Sequence, residues 1–152
     1  MKINLFGGSE SASSIILVRL VVGLVFFFEG VQKYLFQQEL GIGRFIKIGI
    51  PFPYFFAPFV GAVEIIFGLL IVLGLFTRIS AIPLIIDITV AIISTKIPML
   101  FKEGFWKMVH EARTDWAMLL CLIFLFIVGA GRISLDRYFS NREDQNSRFL
   151  SF

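Results

Sequence analysis

The stretch RLVVGLVFFFEGVQK, Arg19 to Lys33, lies inside an apolar run from Ile15 to Phe36. The run is long enough to cross a bilayer, which takes about 20 helical residues. Yet it carries Arg19, Glu29, Gln32 and Lys33. A charge at the bilayer centre costs roughly 2.5–3.5 kcal/mol on insertion scales, so such side chains face a protein interior or a wet cavity. At about 100° per residue, Arg19, Gly23, Phe26, Gly30 and Lys33 share one helical stripe. Glu29 flanks the stripe, four residues before Lys33 and within side-chain reach of it. One face of this helix is polar and small, and the remainder of the chain must bury it.

Composition sets the solvent. Of the 152 residues 57% are hydrophobic and 16% charged, with a mean hydropathy of +0.87. Soluble domains have about 45–50% apolar and about 25% charged residues, so an integral membrane protein of one domain is expected. The net charge of +3 is spread thinly, and no basic run suggests nucleic acid. Cys121, the one cysteine, sits in an apolar run and reads as a packing residue. The first apolar run exceeds the h-region of a cleavable signal peptide, and no A-x-A-like site follows it.

Read in order, the chain predicts an all-α bundle of four transmembrane helices with an interfacial segment between the first two. Residues 1–14 form a polar lead, in which Ser11, Ser13 and Ser14 offer N-cap oxygens. The first span ends near Phe36. Gln37 to Pro53 is a connector with an amphipathic piece, Leu40 to Ile48, closed by Pro51 and Pro53. The second span runs from about Tyr54 to Phe76, and Thr77-Arg78 makes a tight turn. The third runs from about Ile79 to Pro98. Met99 to Thr114 is a charged, aromatic, partly helical linker, and the fourth span runs from about Asp115 to Gly131. The membrane domain spans 15–136. Residues 137–152 form a polar tail, with disorder expected from Asn141 onward.

Four spans place both termini on one side. Setting aside Arg19, Lys33, Lys96 and Arg113 within the membrane, six Lys and Arg fall on the terminal side and four on the other. That balance predicts cytoplasmic termini. Tyr34, Tyr54, Trp106 and Trp116 would then form the outer aromatic belt.

The candidate chemistry lies at depth. With a rise of about 1.5 Å per residue, Asp87 lies roughly 12 Å from the terminal face, Glu64 roughly 18 Å and Glu29 roughly 21 Å. Lys33, Lys96 and Asp115 lie at about 24–27 Å on the same measure. Glu64 shares a stripe with Gly61 and Gly68, and Asp87 with Ser80, Ala91 and Ser94. If these stripes face one another, they enclose a polar cavity opening toward His110, Glu111, Arg113 and Asp115. Plainer readings stand beside this one. Arg19 and Lys33 could snorkel to the interfaces. Glu64 and Asp87 could be structural pairs that fix helix packing. The glycines read as points of close helix approach, and His110 as an ordinary interfacial residue. One histidine cannot supply a bis-histidine haem site, and no Glu-x-x-His pair suggests a di-iron centre. No haem and no metal are expected.

Several ordered pieces resemble the DoxX family of small bacterial membrane proteins, over about Ile16 to Tyr138. They are Arg19-Leu20, Gly23, Phe26, Gly30 and Lys33 in the first span, then Gly49-Ile50-Pro51-Phe52-Pro53 in the connector. Glu64 and Gly68 follow, then Gly74-Leu75-Phe76-Thr77-Arg78, and last Gly129-Ala130-Gly131-Arg132-Ile133-Ser134-Leu135-Asp136. The family takes its name from a subunit of an archaeal quinone-linked oxidoreductase, and other members are associated with redox, thiol-stress or quinone-resistance systems. The resemblance implies a four-helix bundle in the bacterial cytoplasmic membrane and makes a quinone and a redox-enzyme partner the candidate associates.

The leading reading is a quinone-associated subunit. Glu64 and Asp87 would exchange protons, and Arg19, Glu29, Lys33, His110 and Asp115 would contact the ligand. The alternatives are a non-catalytic scaffold that recruits redox or stress enzymes, and a small-molecule carrier. Four helices are few for a carrier unless the chain forms a homo-oligomer.

Overall fold

A computed structural model describes residues 13–138. Helix α1 spans Ile15–Leu35, α2 Ile42–Lys47, α3 Pro53–Leu73 and α4 Thr77–Ala91. A π-helical turn, Ile92–Lys96, joins α4 to α5, Ile97–Glu103, and α6 spans Phe105–Val128. The described residues contain no strand. Three helical stretches are long and apolar enough to cross a membrane: Ile15–Leu35, Pro53–Leu73 and the continuous run Thr77–Glu103. No more than 33% of any of these apolar windows is buried within the protein. Leu17, Val21, Phe28, Phe59, Ile66, Ile82 and Ile86 all face outward. Acyl chains can cover such a surface where water cannot.

The short structural signals explain the ends. Pro53 starts α3, where its fixed φ suits the first helical turn and its missing N–H costs nothing. Gly74, at φ +68°, stops it. The Gly74 N–H donates to the Ile71 carbonyl and the Leu75 N–H to the Leu70 carbonyl, which is the Schellman pattern. The turn is therefore Gly74–Phe76, and α4 begins at Thr77 rather than after Arg78. Pro98 has no N–H for the helical ladder, and its ring crowds the carbonyl four residues back. The backbone widens into the π turn immediately before it.

Two expected boundaries move. The third span does not stop at Pro98 but stays helical to Glu103. The linker is almost wholly helix, broken at Gly104 with φ +90°, so the last helix starts at Phe105 and not at Asp115. Lys102, Glu103, Lys107, Glu111 and Arg113 lower the hydropathy there without opposing helix formation. By the same token α6, though 24 residues long, is not apolar enough to count among the spans: its apolar part begins only at Trp116. Of the expected polar lead only Ser13 and Ser14 are described. Ser14 occupies the N-cap of α1 without a side-chain cap bond. Of the tail only Arg137 and Tyr138 are described, and the segment expected to be disordered lies outside the described residues.

The tightest packing joins α1 and α3. A Cβ on Gly68 would stand 2.8 Å from the Gly23 carbonyl oxygen, and one on Gly30 would stand 2.6 Å from that of Gly61. Gly23 thus meets Gly68 and Gly30 meets Gly61, an antiparallel register that admits no side chain. The core continues from Val22 and Phe26 through Ile71 to Ala81, Leu84 and Ile88 on α4, then Leu122 and Leu125 on α6.

Candidate functional site

Between these helices lies a cavity of about 370 Å³. Helix α1 contributes Glu29 and Lys33, α3 Glu64, α4 Asp87 and α6 Asp115. The connector adds Arg44 from α2, and the π turn adds Ser94 and Thr95. Val25, Phe26, Phe45, Ile50, Val60 and Ile88 supply apolar walls. The polar groups grade in exposure: Glu29 and Arg44 are exposed, Asp87 and Asp115 half-buried, and Glu64 only 4% exposed. The site is thus open at one end and closed at Glu64.

At the closed end Lys33 Nζ donates to Glu64 Oε2 at 2.6 Å. Asp87 lines the same cavity, near enough to Glu64 and Lys33 to feel their charges. Two acids from two helices therefore share the cavity with this ammonium, which is paired to Glu64. Lys96 Nζ lies 3.1 Å from Asp115 Oδ2 and also donates to the Glu111 carbonyl, which ties the π turn to α6. The Ser94 and Thr95 hydroxyls donate to the Val90 and Ala91 carbonyls, which holds them along the cavity wall. Within hydrogen-bond reach of this pocket are proton donors, proton acceptors and a fixed cation, beside surface suited to an apolar ring. Among the described residues no group of three or more His, Cys, Asp or Glu is arranged to hold a metal ion.

Two expected ligand contacts lie elsewhere. Arg19, 2% exposed, is absent from the cavity lining. Its Nε donates to Ile71 O, Nη2 to Val72 O, and Nη1 to both Ala130 O and Ile133 O. It therefore caps the end of α3 and pins the segment after α6, with four of its five N–H donors given to main-chain carbonyls. His110 is exposed on α6 and does not line the cavity; its carbonyl accepts from Arg113. Ser80, on the Asp87 stripe but nearer the start of α4, lies outside the pocket and donates to the Leu75 carbonyl. Conversely Arg44, Thr95 and Thr114 line the cavity without having been singled out. The amphipathic piece Leu40–Ile48 carried the signal for Arg44: Phe45 is buried and Arg44 lies beside it.

Fold and site together define a small multi-span helical membrane protein with a polar cavity among its helices. The DoxX family model matches residues 14–97, and the chain belongs to the DoxX family. The chain is 52% identical over 140 residues to an uncharacterised membrane protein of Mycobacterium tuberculosis (strain ATCC 25618 / H37Rv), Rv3486. That match covers 88% of this chain and 86% of the relative. It is 32% identical over 133 residues to a Bacillus subtilis (strain 168) protein, CatD, whose name assigns it provisionally to the oxidoreductases. Here 86% of this chain and 91% of the relative are covered. No solved structure matches the chain. The matched region 14–97 holds Glu29, Lys33, Glu64 and Asp87, whereas Asp115 and Arg132 to Asp136 lie beyond it.

Proposed function

We propose that the chain is a quinone-associated subunit of a membrane oxidoreductase, with the quinone headgroup seated in the cavity. One observation carries the reading: Glu64, paired to the Lys33 ammonium, and Asp87 line one apolar-walled pocket. Small-molecule pockets run to about 300–1,000 Å³, mostly apolar with a few placed polar groups, and this one falls within that range. Lys33 would polarise a quinone carbonyl oxygen, and Glu64 and Asp87 would exchange the protons that accompany reduction. Electrons would come from a redox-enzyme partner or a soluble reductant. Arg19 has no part in this version, because its donors serve the backbone. The oxidoreductase name of the Bacillus relative points the same way.

In this reading α6 supplies the fourth span from Trp116 onward, where Leu120, Ile123, Phe124 and Ile127 face outward like their counterparts on the longer helices. Helix α2 lies at the interface, and the termini face the cytoplasm of a bacterial inner membrane. The test is direct. Purify the protein in detergent, extract its lipids, and titrate it with menaquinone and ubiquinone. Recovery of quinone, or saturable affinity for either, is expected; neither would end the proposal.

A further inference from the structure

A second cleft, of about 510 Å³, lies at the opposite end of the bundle, between the start of α4 and the segment after α6. We infer that it holds the phosphate of an anionic phospholipid. Thr77, Arg78 and Ile79 line one side, and Val128, Ser134 and Arg137 the other.

The charge balance is positive. Asp136 also lines the cleft, but its carboxylate accepts from the Phe76 and Thr77 N–H groups. The buried Arg19 guanidinium adds positive charge behind this segment, bonded to the Ala130 and Ile133 carbonyls. Arg78 and Arg137 remain. Arg78 commits Nη2 to the Ile127 carbonyl at 3.0 Å and has no ion-pair partner among the described residues. The exposed Arg137 side chain has neither a hydrogen-bond nor an ion-pair partner among them. A third polar group points to a ligand independently: the Thr77 hydroxyl, on a residue 1% exposed, has no hydrogen-bond partner there. A buried hydroxyl left unpaired is costly enough to call for an explanation.

Two guanidinium groups from different segments match the oxygens of one phosphate, where each offers paired N–H donors. Basic pockets between membrane helices at headgroup level bind anionic lipids for this reason. What favours a lipid over a free anion is the apolar flank. Ile79 and Val128 line the same cleft, and both they and the adjoining Ile127 are exposed. An acyl chain can follow that surface while its phosphate meets the arginines. This site is independent of the quinone reading, which concerns the other cavity.

The purified protein, in a neutral detergent, is mixed with phosphatidylglycerol and phosphatidylcholine of matched chains, and the lipid retained is read by native mass spectrometry. Phosphatidylglycerol is expected to be retained several-fold over phosphatidylcholine, and that preference should shrink as salt rises. In Arg137→Gln it should fall to near parity. Arg78→Gln should do the same, but Arg78 also holds the Ile127 carbonyl, so Arg137→Gln, with no contact to lose, is the deciding variant. Equal retention of the two lipids by the unaltered protein, or an undiminished preference in Arg137→Gln, would overturn the inference. So would complete displacement of the lipid by inorganic phosphate at an ionic strength where chloride displaces none, since the free anion would then be the ligand.

Discussion

Lys33 Nζ stands 2.6 Å from Glu64 Oε2, so an ion pair joins α1 to α3 where the cavity closes. The glycines make this possible. Gly30 lies against Gly61 with no room for a Cβ, and that approach lets the Lys33 stem pass beside Gly61 and reach Glu64 one turn on. Packing and polar chemistry are consequently coupled: the contact that closes the hairpin also sets the acid beside the base.

Breaking one half of this pair strands the other. Lys33→Met leaves Glu64 buried without its cation, and losing one partner of a buried pair costs about 3–5 kcal/mol. Replacing both, as Lys33→Met with Glu64→Met, should recover most of the loss, because well-packed apolar substitutes are often neutral. Thermal unfolding in detergent measures both. A double variant no more stable than Lys33→Met would show that the pair is not the relevant link.

Gly68→Ala should weaken the α1–α3 contact by about 1–3 kcal/mol, the usual range for overpacking a tight site. The added methyl would stand 2.8 Å from both the Gly23 carbonyl oxygen and the Phe27 nitrogen, and neither backbone atom can swing aside. Gly74→Ala should cost at least as much, since Gly74 combines φ +68° with the Arg19 guanidinium lying where its Cβ would stand. Melting temperatures at matched detergent concentration decide both, and unchanged values would contradict the packing described.

The first span was legible because periodicity exposes a stripe, and charges inside an apolar run demand burial. That logic located Glu29, Lys33, Glu64, Asp87 and Asp115, all of which line one cavity. It could not place Arg19, whose partners are main-chain carbonyls at Ile71, Val72, Ala130 and Ile133. Every residue has a carbonyl, so no side-chain pattern marks those four. The boundary between the last two helices was misread for a related reason. Hydropathy falls where a helix leaves an apolar setting, at Met99 to Thr114, whereas the helix itself breaks only where Gly104 turns to φ +90°. The π turn is visible in sequence only as Pro98, and its consequence, Ser94 and Thr95 along the cavity wall, needs the folded backbone.

Arg19→Lys should be nearly as damaging as Arg19→Gln, although the charge is kept. An ammonium cannot reach four carbonyls arranged around a planar guanidinium. Asp136→Asn is the milder change beside it. It weakens the acceptor for the Phe76 and Thr77 N–H groups, and loss of a helix cap typically costs about 1 kcal/mol. Phe76 is held at φ +49°, so weakening that anchor should also loosen the Gly74–Phe76 turn. Proteolysis at that turn reads the effect, and resistance in all three variants equal to that of the unaltered chain would show that the Arg19 and Asp136 contacts do not hold it.

Plugging the cavity separates ligand binding from charge. Ala91 lines it from the last turn of α4, and Ala91→Phe would add a ring to the lumen while leaving Lys33, Glu64 and Asp87 unsubstituted. If a quinone headgroup occupies the space, this variant should fold and lose at least tenfold in menaquinone affinity, about 1.4 kcal/mol. Asp87→Asn makes the complementary change, keeping the volume and the Lys33–Glu64 pair while removing one exchangeable proton site. It should bind quinone with little loss yet slow its reduction by the donor system. Were Ala91→Phe to bind menaquinone as tightly as the unaltered chain, the cavity could not be the quinone site, and the acids within it would be left with a role in helix packing alone.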